Sequence, residues 1–218
     1  MDDSPDNPLN KNPWLVITAS DYEGHMSSSN VGQLAFLNES FKSVLTETRP
    51  KSILVVGCTT GNGLEHVDFG VTERVAAVDI NESYLTILRE RFGGQGERIE
   101  TICSDINSCR FYPESFDLIH CALLFEYVDV EETLTNIENW LTPEGRLSTI
   151  LQLEDARLGA VSETPFVSLK LLAKSMNLIE PKQFDKMADS AGLSLVAESI
   201  KELPSGKQFR LSTHRRQI

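Results

Sequence analysis

The sequence has few features of secreted, membrane-spanning or metal-binding proteins. Its four cysteines include no Cys-x-x-Cys pair and no set of Cys and His at zinc-ligand spacing, so we expect reduced thiols and no metal site. The longest apolar runs, such as Cys121–Phe125, are far too short to cross a bilayer. The first residues also lack the basic region and apolar core of a signal peptide. These absences predict a cytoplasmic protein with no membrane partner.

Positive charge is also scarce. The chain has 20 Lys and Arg against 32 Asp and Glu, a net charge of −12. Its longest basic stretch is His214–Arg216, which is too short to offset that charge. Because the charge opposes attraction to phosphate backbones, we expect no nucleic-acid partner.

The segment Ile53–Leu64 organises the rest of the chain. Ile53–Val56 is a run of apolar residues that predicts a strand buried on both faces, and the following loop contains Gly57, Gly61 and Gly63. The pattern predicts a strand, a glycine turn and a helix start. Such a turn lets the backbone approach a nucleotide-like ligand with an anionic group, although the same pattern occurs without a ligand.

The chain length fits one domain, which we place at residues 14–218 after a mobile arm at residues 1–13. Within residues 14–33, the stretch containing Tyr22 and His25 indicates a polar loop. This loop either folds over a site as a lid or is a surface connection. We expect a monomer or a homodimer.

Strand and helix patterns alternate along the remaining chain. Helical spacing predicts helices at Leu34–Thr48, Glu82–Phe92, Val130–Leu141, Phe166–Met176 and Pro181–Ser190. Apolar runs predict strands at Ile53–Val56, Arg74–Asp79, Ile99–Cys103, Phe116–Cys121 and Arg146–Leu151, and then a hairpin of Leu193–Leu203 with Lys207–His214. This alternation predicts a doubly wound α/β fold: a Rossmann-like, seven-stranded, mainly parallel sheet with a terminal antiparallel hairpin and helices on both faces.

Ligands of such sheets lie at the carboxyl ends of the strands, so the residues that follow each strand are the candidate site. Asp79 ends the second strand, about 20 residues after Gly57, where a carboxylate can hold a ribose. Asp105 follows the third strand and could accept a hydrogen bond from an exocyclic amine such as that of adenine. The alternatives are a solvated strand end for Asp79 and a helix cap for Asp105.

The segment Asp21–Met26 with Val31–Gln33 resembles the site-covering N-terminal segment of methyltransferases that act on small molecules. Five further motifs, in order, resemble those of class I S-adenosylmethionine-dependent methyltransferases. They are VGCTTGNG (Val56–Gly63), VDIN (Val78–Asn81), CSDI (Cys103–Ile106), FDLIHCALLFEYV (Phe116–Val128) and LTPEGRL (Leu141–Leu147). The resemblance implies that the protein uses S-adenosyl-L-methionine and transfers its methyl group to an acceptor by in-line displacement.

The resemblance also implies roles for individual residues. Around the methionine part it places Gly57, Thr59, Gly61 and Asn62, with the backbone of Cys121 and Ala122 facing the methionine amine. Asp79 would bind ribose, Ile80 and Ile106 would enclose adenine, and Asp105 would bind its amine. Cys58 lies in the glycine loop and is expected beside the ligand.

Two departures from the family pattern leave other functions open. Val55 stands where the family usually has an acid, and Thr59 replaces its middle glycine. These changes motivate an alternative in which the protein binds S-adenosylmethionine without catalysis. A nicotinamide-dependent oxidoreductase is a weaker alternative, because Thr59 also breaks the Gly-x-Gly-x-x-Gly pattern.

The acceptor is expected to be a small molecule. The fourth strand lacks the Asn/Asp-Pro-Pro-aromatic sequence of methyltransferases that act on nucleic-acid amino groups, and the net charge is acidic. If the acceptor carries a proton that must leave, the candidate bases are Glu126, Tyr127, Tyr22 and His25, each of which could instead be a packing or surface residue.

Overall fold

The structure is a computed structural model that describes residues 12–217, except for the side chains of residues 95–97. Most of the predicted mobile arm, residues 1–11, lies outside the described residues. Its last two residues are described: Pro13 begins a short 3-10 helix, Pro13–Leu15, and Asn12 caps it. In the described part of the chain, no helix is both long enough and apolar enough to cross a membrane.

Seven strands form a single sheet in the order β3-β2-β1-β4-β5-β7-β6. They are β1 (Ser52–Val56), β2 (Arg74–Asp79), β3 (Ile99–Cys103), β4 (Phe116–Ala122), β5 (Leu141–Gln152), β6 (Leu193–Glu202) and β7 (Gln208–Arg216). Strands β1 to β5 pair in parallel, whereas β7 is antiparallel to both β5 and β6. The predicted doubly wound sheet with a terminal antiparallel hairpin is confirmed.

Between residues 12 and 217, five α-helices accompany the sheet: α1 (Ala19–Ser27), α2 (Gln33–Thr48), α3 (Glu82–Phe92), α4 (Val130–Trp140) and α5 (Pro181–Ser190). Strand β1 shows how the two faces are covered. Leu54 and Val56 pack in the cluster that includes α4 and α5, whereas Ile53 and Val55 pack with α2 and α3. Because successive side chains of a strand point to opposite faces, the unbroken apolar run of β1 is explained by this double burial.

Two expectations about helices are wrong. The glycine loop leads only into one 3-10 turn, Leu64–His66, and not into a helix. Asp68 ends this turn, because its side chain accepts from Gly70 N and its carbonyl accepts from Val71 N and Thr72 N. The chain is therefore turned directly into β2.

The polar stretch interpreted as a loop contains helix α1. The Thr18 hydroxyl caps its first turn by accepting from Asp21 N at 3.1 Å. Two smaller differences concern the type of one helix and the first residue of one strand. The helix predicted at Phe166–Met176 is a 3-10 helix at Val167–Lys174, and β5 already begins at Leu141, before the predicted strand Arg146–Leu151.

Candidate functional site

A cavity opens at the carboxyl ends of β1 and β4, where the order of the strands reverses direction. Counted with the solvent at its mouth, it contains about 1130 Å³ of empty space. Ten of the predicted site residues line it: Gly57, Thr59, Asp79, Ile80, Asp105, Ile106, Ala122, Tyr127, Tyr22 and His25.

Five predicted site residues are not part of this lining: Cys58, Gly61, Asn62, Cys121 and Glu126. The Asn62 amide instead donates to Leu34 O at 2.9 Å and holds the start of α2. Cys58 and Cys121 are buried in the two hydrophobic clusters on either side of the sheet. A Cβ atom on Gly61 would lie 2.8 Å from the Phe92 ring, so this glycine allows α3 to pack closely.

The glycine loop has an unusual backbone where it faces the cavity. Gly57 has φ +68°, and a Cβ atom there would have Leu124 as its only neighbour within 4 Å, at 3.4 Å. The absent side chain therefore leaves space in the cavity. Thr59 has φ +45°, a conformation that is uncommon for a residue with a side chain and often found at functional sites.

Asp79 supports this loop with its carboxylate. Its Oδ2 accepts from Thr59 N at 2.9 Å, and its Oδ1 accepts from Asn81 N at 2.8 Å. Each carboxylate oxygen has a second lone pair for a ligand hydroxyl. Burial raises the pKa of Asp79, and the hydrogen bonds from backbone N–H groups oppose that rise.

Two apolar side chains and one acid form the next part of the cavity. Ile80 and Ile106 follow β2 and β3 and both line it. Asp105 caps the 3-10 helix Ile106–Ser108 by accepting from Asn107 N at 2.8 Å. The helix-cap alternative for Asp105 is therefore observed, and its second carboxylate oxygen has no partner among the described residues.

The opposite end of the cavity is apolar. Its wall combines side chains from α1, α2 and the segment that follows β5: Met26, Leu37, Val161, Leu169, Leu172 and Met176. Helix α1 closes this end, and several contacts hold it there. Glu23 forms an ion pair with Arg91 of α3 and accepts from the Thr60 hydroxyl in the glycine loop.

His25 of α1 is a buried base in this apolar end. Its Nδ1 lies 2.8 Å from the hydroxyl of Thr164, and its Nε2 has no partner among the described residues. Burial lowers the pKa of His25, and the nearby charge of Lys207 lowers it further. The imidazole is therefore mainly neutral at pH 7, the form that can accept a proton.

The two tyrosines are poor bases. Burial raises the pKa of Tyr22 to about 12, and it also raises the pKa of Tyr127 above its ordinary value. Both rings contact Trp14 edge to face, with centroids at 6.1 and 5.1 Å. Their observed role is to form the aromatic part of the cavity wall.

Glu126 is buried and is not part of the cavity lining. Its Oε1 accepts from Gln152 N at 2.8 Å, which joins the segment after β4 to the end of β5. Its Oε2 is buried with no partner among the described residues. Burial raises the pKa of Glu126 to about 7.

Leu123, Gln152 and Lys207 are among the lining residues that the sequence interpretation missed. Leu123 has φ +54° directly after β4, which no sequence pattern reveals. Gln152 is the last residue of β5, which extends one residue beyond the predicted strand. Lys207 precedes β7, and because β7 is antiparallel its first residues lie at the same edge as the ends of the parallel strands.

Comparison with known proteins assigns the family. Residues 54–149 match a protein family described as a methyltransferase domain. The chain is also 30% identical over 171 residues to the ubiquinone biosynthesis O-methyltransferase of Coxiella burnetii, covering 74% of this chain and 72% of that protein. The chain belongs to the class I S-adenosylmethionine-dependent methyltransferases. S-adenosylmethionine is the cofactor of this methyltransferase. The family membership that its five motifs predicted is confirmed.

Solved structures show the same fold. The methyltransferase is similar to the 4+2 cyclase SpnF, with a TM-score of 0.71, 12% identity, and coverage of 95% of this chain and 98% of that one. It is also similar to the geranyl diphosphate C-methyltransferase of Streptomyces coelicolor, with a TM-score of 0.69, 13% identity, and coverage of 98% and 99%. At these identities the similarity establishes the fold alone.

The residues at the glycine end fit this cofactor. The space left by the absent Gly57 side chain and the available lone pairs of Asp79 suit a ligand with a ribose near a backbone turn. Beyond them, Ile80 and Ile106 provide apolar contacts and Asp105 provides a free acceptor oxygen, as an adenine with its amine requires.

Proposed function

We propose that this methyltransferase methylates a small, largely apolar acceptor on an oxygen atom. The observation that carries the proposal is one continuous cavity with two chemically different ends. One end has the polar loop and carboxylates that suit the cofactor, and the other is a mainly apolar chamber with α1 in its wall. A partly enclosed chamber of this kind suits a small molecule better than a polymer.

The cofactor roles that we propose follow from positions in the lining. Asp79 would accept hydrogen bonds from the ribose hydroxyls, and Asp105 would accept one from the adenine amine between Ile80 and Ile106. Gly57, Thr59 and the backbone of Ala122 would contact the methionine part. For Cys58, Gly61, Asn62 and Cys121, which lie behind the lining, we propose an indirect role in shaping the loop.

S-adenosylmethionine supplies an electrophilic methyl group on a sulfonium, so the protein has to align the acceptor and remove water. His25 is the group that we propose to take the proton from the acceptor hydroxyl, since it is neutral, buried and in the lining. Tyr22 and Tyr127 would position the acceptor through their rings. Glu126 is outside the lining and accepts a hydrogen bond from Gln152 N, and we propose a structural role for it.

We propose that residues 14–33 act as a cover for the acceptor. Residues 14–33 contact the segment after β5 at several points, including the bond from Asn30 Nδ2 to Glu163 O at 3.0 Å and the contact of Gly24 in α1 with the Phe166 ring. The cover is therefore assembled from two distant parts of the chain. Together they exclude water from the place where the methyl group is transferred.

The similarity to an enzyme named for ubiquinone biosynthesis supports an apolar acceptor with a hydroxyl group. The Streptomyces coelicolor enzyme was crystallised in complex with geranyl diphosphate, which supports the small-molecule class. Neither relative identifies the acceptor of this protein.

The proposal is tested by following the release of S-adenosylhomocysteine with a panel of small acceptors. Phenols and alcohols with apolar bodies form one group, amines and thiols a second, and transfer RNA and unfolded protein a third. We expect turnover above background only in the first group. Turnover confined to the third group would contradict the small-molecule assignment, and turnover confined to the second would contradict the oxygen assignment.

A further inference from the structure

Lys207 is a buried lysine at the mainly apolar end of the cavity, where we place the acceptor; we call it the acceptor end. It is 4% exposed and belongs to the lining. Its Nζ donates to Ala160 O at 2.5 Å, and no Asp or Glu of the described residues lies within ion-pair distance of it. Burial lowers its pKa to about 8, with no nearby carboxylate to oppose the effect. A buried cation without a counter-ion is costly and needs an explanation.

The position of Lys207 separates it from the cofactor. It precedes β7, which is three strands from β1 in the sheet. Because neighbouring strands are about 4.8 Å apart, Lys207 lies about 14 Å across the sheet from the glycine loop. It also influences His25, the base that we assign to the acceptor. Lys207 therefore lies nearer to His25 than to the glycine loop, at the end of the cavity where we place the acceptor.

The backbone fixes Lys207 in this place. Leu203 N donates to Lys207 O at 3.0 Å, and Gly206, at φ +79°, closes the turn by donating to Leu203 O at 2.8 Å. Across the cavity wall, Ala160 O also accepts from the Gln152 amide at 2.9 Å. The ammonium group thus projects from a rigid hairpin onto a rigid wall.

A second unsatisfied polar group lies in the same wall. The Ser162 hydroxyl is buried with no partner among the described residues, and Ser162 lines the cavity two residues after Ala160. A hydroxyl and an ammonium are both hydrogen-bond donors to an anion. Lys207 is the only lysine or arginine in the described lining, which suits a group with one negative charge better than a diphosphate.

Resting on the proposed function, we propose that the acceptor is an apolar hydroxy acid whose carboxylate is bound by Lys207. The Ser162 hydroxyl donates a second hydrogen bond to that carboxylate. The apolar body of the acceptor lies against Met26, Leu169 and Leu172, and its hydroxyl faces His25. Lys207 is then a specificity-determining residue, and the acceptor carboxylate is the counter-ion that the described residues do not provide for it.

The test uses two probes of equal length, octanoate and octanamide, titrated calorimetrically into the full-length protein saturated with S-adenosylhomocysteine. We expect octanoate to bind the wild type at least tenfold more tightly than octanamide at pH 7. In Lys207→Met this preference disappears, because octanoate weakens at least tenfold and octanamide changes less than twofold. Octanoate affinity of the wild type also declines above pH 8, as the lysine loses its proton, and that decline is absent in the variant.

Lys201→Met is the matched control, since Lys201 is an exposed lysine on the same hairpin. It should keep the full preference for octanoate. Lys207→Met should fold, because methionine has a similar length and removes an unpaired buried charge, and its Tm should equal or exceed that of the wild type.

Equal affinity for the two probes in the wild type would overturn the proposal, as would an unchanged preference in Lys207→Met or no octanoate binding to the saturated complex. The titration with S-adenosylhomocysteine that precedes each experiment tests the cofactor site separately. A failure there would contradict the proposed function, whereas a failure only with octanoate would contradict the carboxylate site alone.

Discussion

The two ends of the cavity are built from different kinds of structure. The cofactor end consists of short turns that directly follow neighbouring parallel strands, so its residues are close in space because the sheet places them there. The acceptor end consists of α1, the segment after β5 and the β6–β7 turn, which are far apart in the sequence. The sheet therefore sets the positions of the residues at the cofactor end, whereas contacts between surface segments set the positions of those at the acceptor end.

This difference predicts that substitutions will separate into two classes. Changes at the cofactor end should weaken S-adenosylhomocysteine binding, and changes at the acceptor end should affect turnover or acceptor binding while the cofactor affinity is kept. The following substitutions test this separation, from the largest expected effect to the smallest.

His25→Gln should reduce kcat a hundredfold or more, because general base catalysis typically contributes 10²–10⁴-fold. Its affinity for S-adenosylhomocysteine should be unchanged. Since the pKa of His25 is lowered, the acidic decline of wild-type kcat/KM should have its midpoint below the ordinary histidine pKa of about 6.5. His66→Gln is the control, as His66 binds Asn38 outside the cavity lining. Equal losses in the two variants would refute the assigned base.

Glu126→Gln tests whether Glu126, which joins the segment after β4 to the end of β5, has a structural role. As the pH rises from 4.5 to 7, the unfolded chain loses this proton while the folded chain keeps it, so the free energy of unfolding falls by about 3 kcal/mol. The substitution removes that loss. In urea unfolding, the free energy of unfolding of Glu126→Gln should therefore fall less between pH 5 and pH 8 than that of the wild type. Glu90→Gln, at an exposed position, should show no such change. A parallel pH dependence in wild type and Glu126→Gln would contradict the buried neutral carboxyl.

Asp79→Ala should weaken S-adenosylhomocysteine binding by about 1.5–3 kcal/mol, because it removes hydrogen bonds to a charged group. Calorimetric titration measures the change. Asp117→Ala is a matched control: Asp117 Oδ2 likewise accepts two backbone N–H bonds, from Lys51 and Ser52, but at the opposite edge of the sheet. It should lower Tm and leave the cofactor affinity unchanged. If both variants lose affinity equally, Asp79 acts only through the stability of the fold.

Gly24→Ala should disturb the cover alone. The new Cβ atom would lie 2.2 Å from the Phe166 ring, which forces the two segments of the cover apart. Such overpacking costs about 1 kcal/mol, so we expect the KM for the acceptor to rise about fivefold with an unchanged affinity for S-adenosylhomocysteine. Adding Phe166→Leu should restore part of the loss. Gly94→Ala, where a Cβ atom meets nothing within 4 Å, should have no effect, and a change in cofactor affinity in Gly24→Ala would argue against separate ends.

The sequence predicted the cofactor end much better than the acceptor end, for a physical reason. Ile53–Val56 is buried on both faces, so its pattern is unambiguous, and the residues after each parallel strand must lie at one edge. Lys207 was missed because its place depends on the direction of β7, a property of pairing rather than of local pattern. Helix α1 was missed because much of its polar surface is paired with distant groups, such as Glu23 with Arg91.

The direction of β7 has a consequence for how the enzyme could be redesigned. The turn from Leu203 to Lys207 joins two strands at the far side of the sheet, yet it opens onto the cavity. A change in the length or charge of this turn leaves every parallel strand and the glycine loop in register. From the role that we propose for Lys207, we expect that exchanging these five consecutive residues changes the acceptor preference and keeps the methyl-donor site.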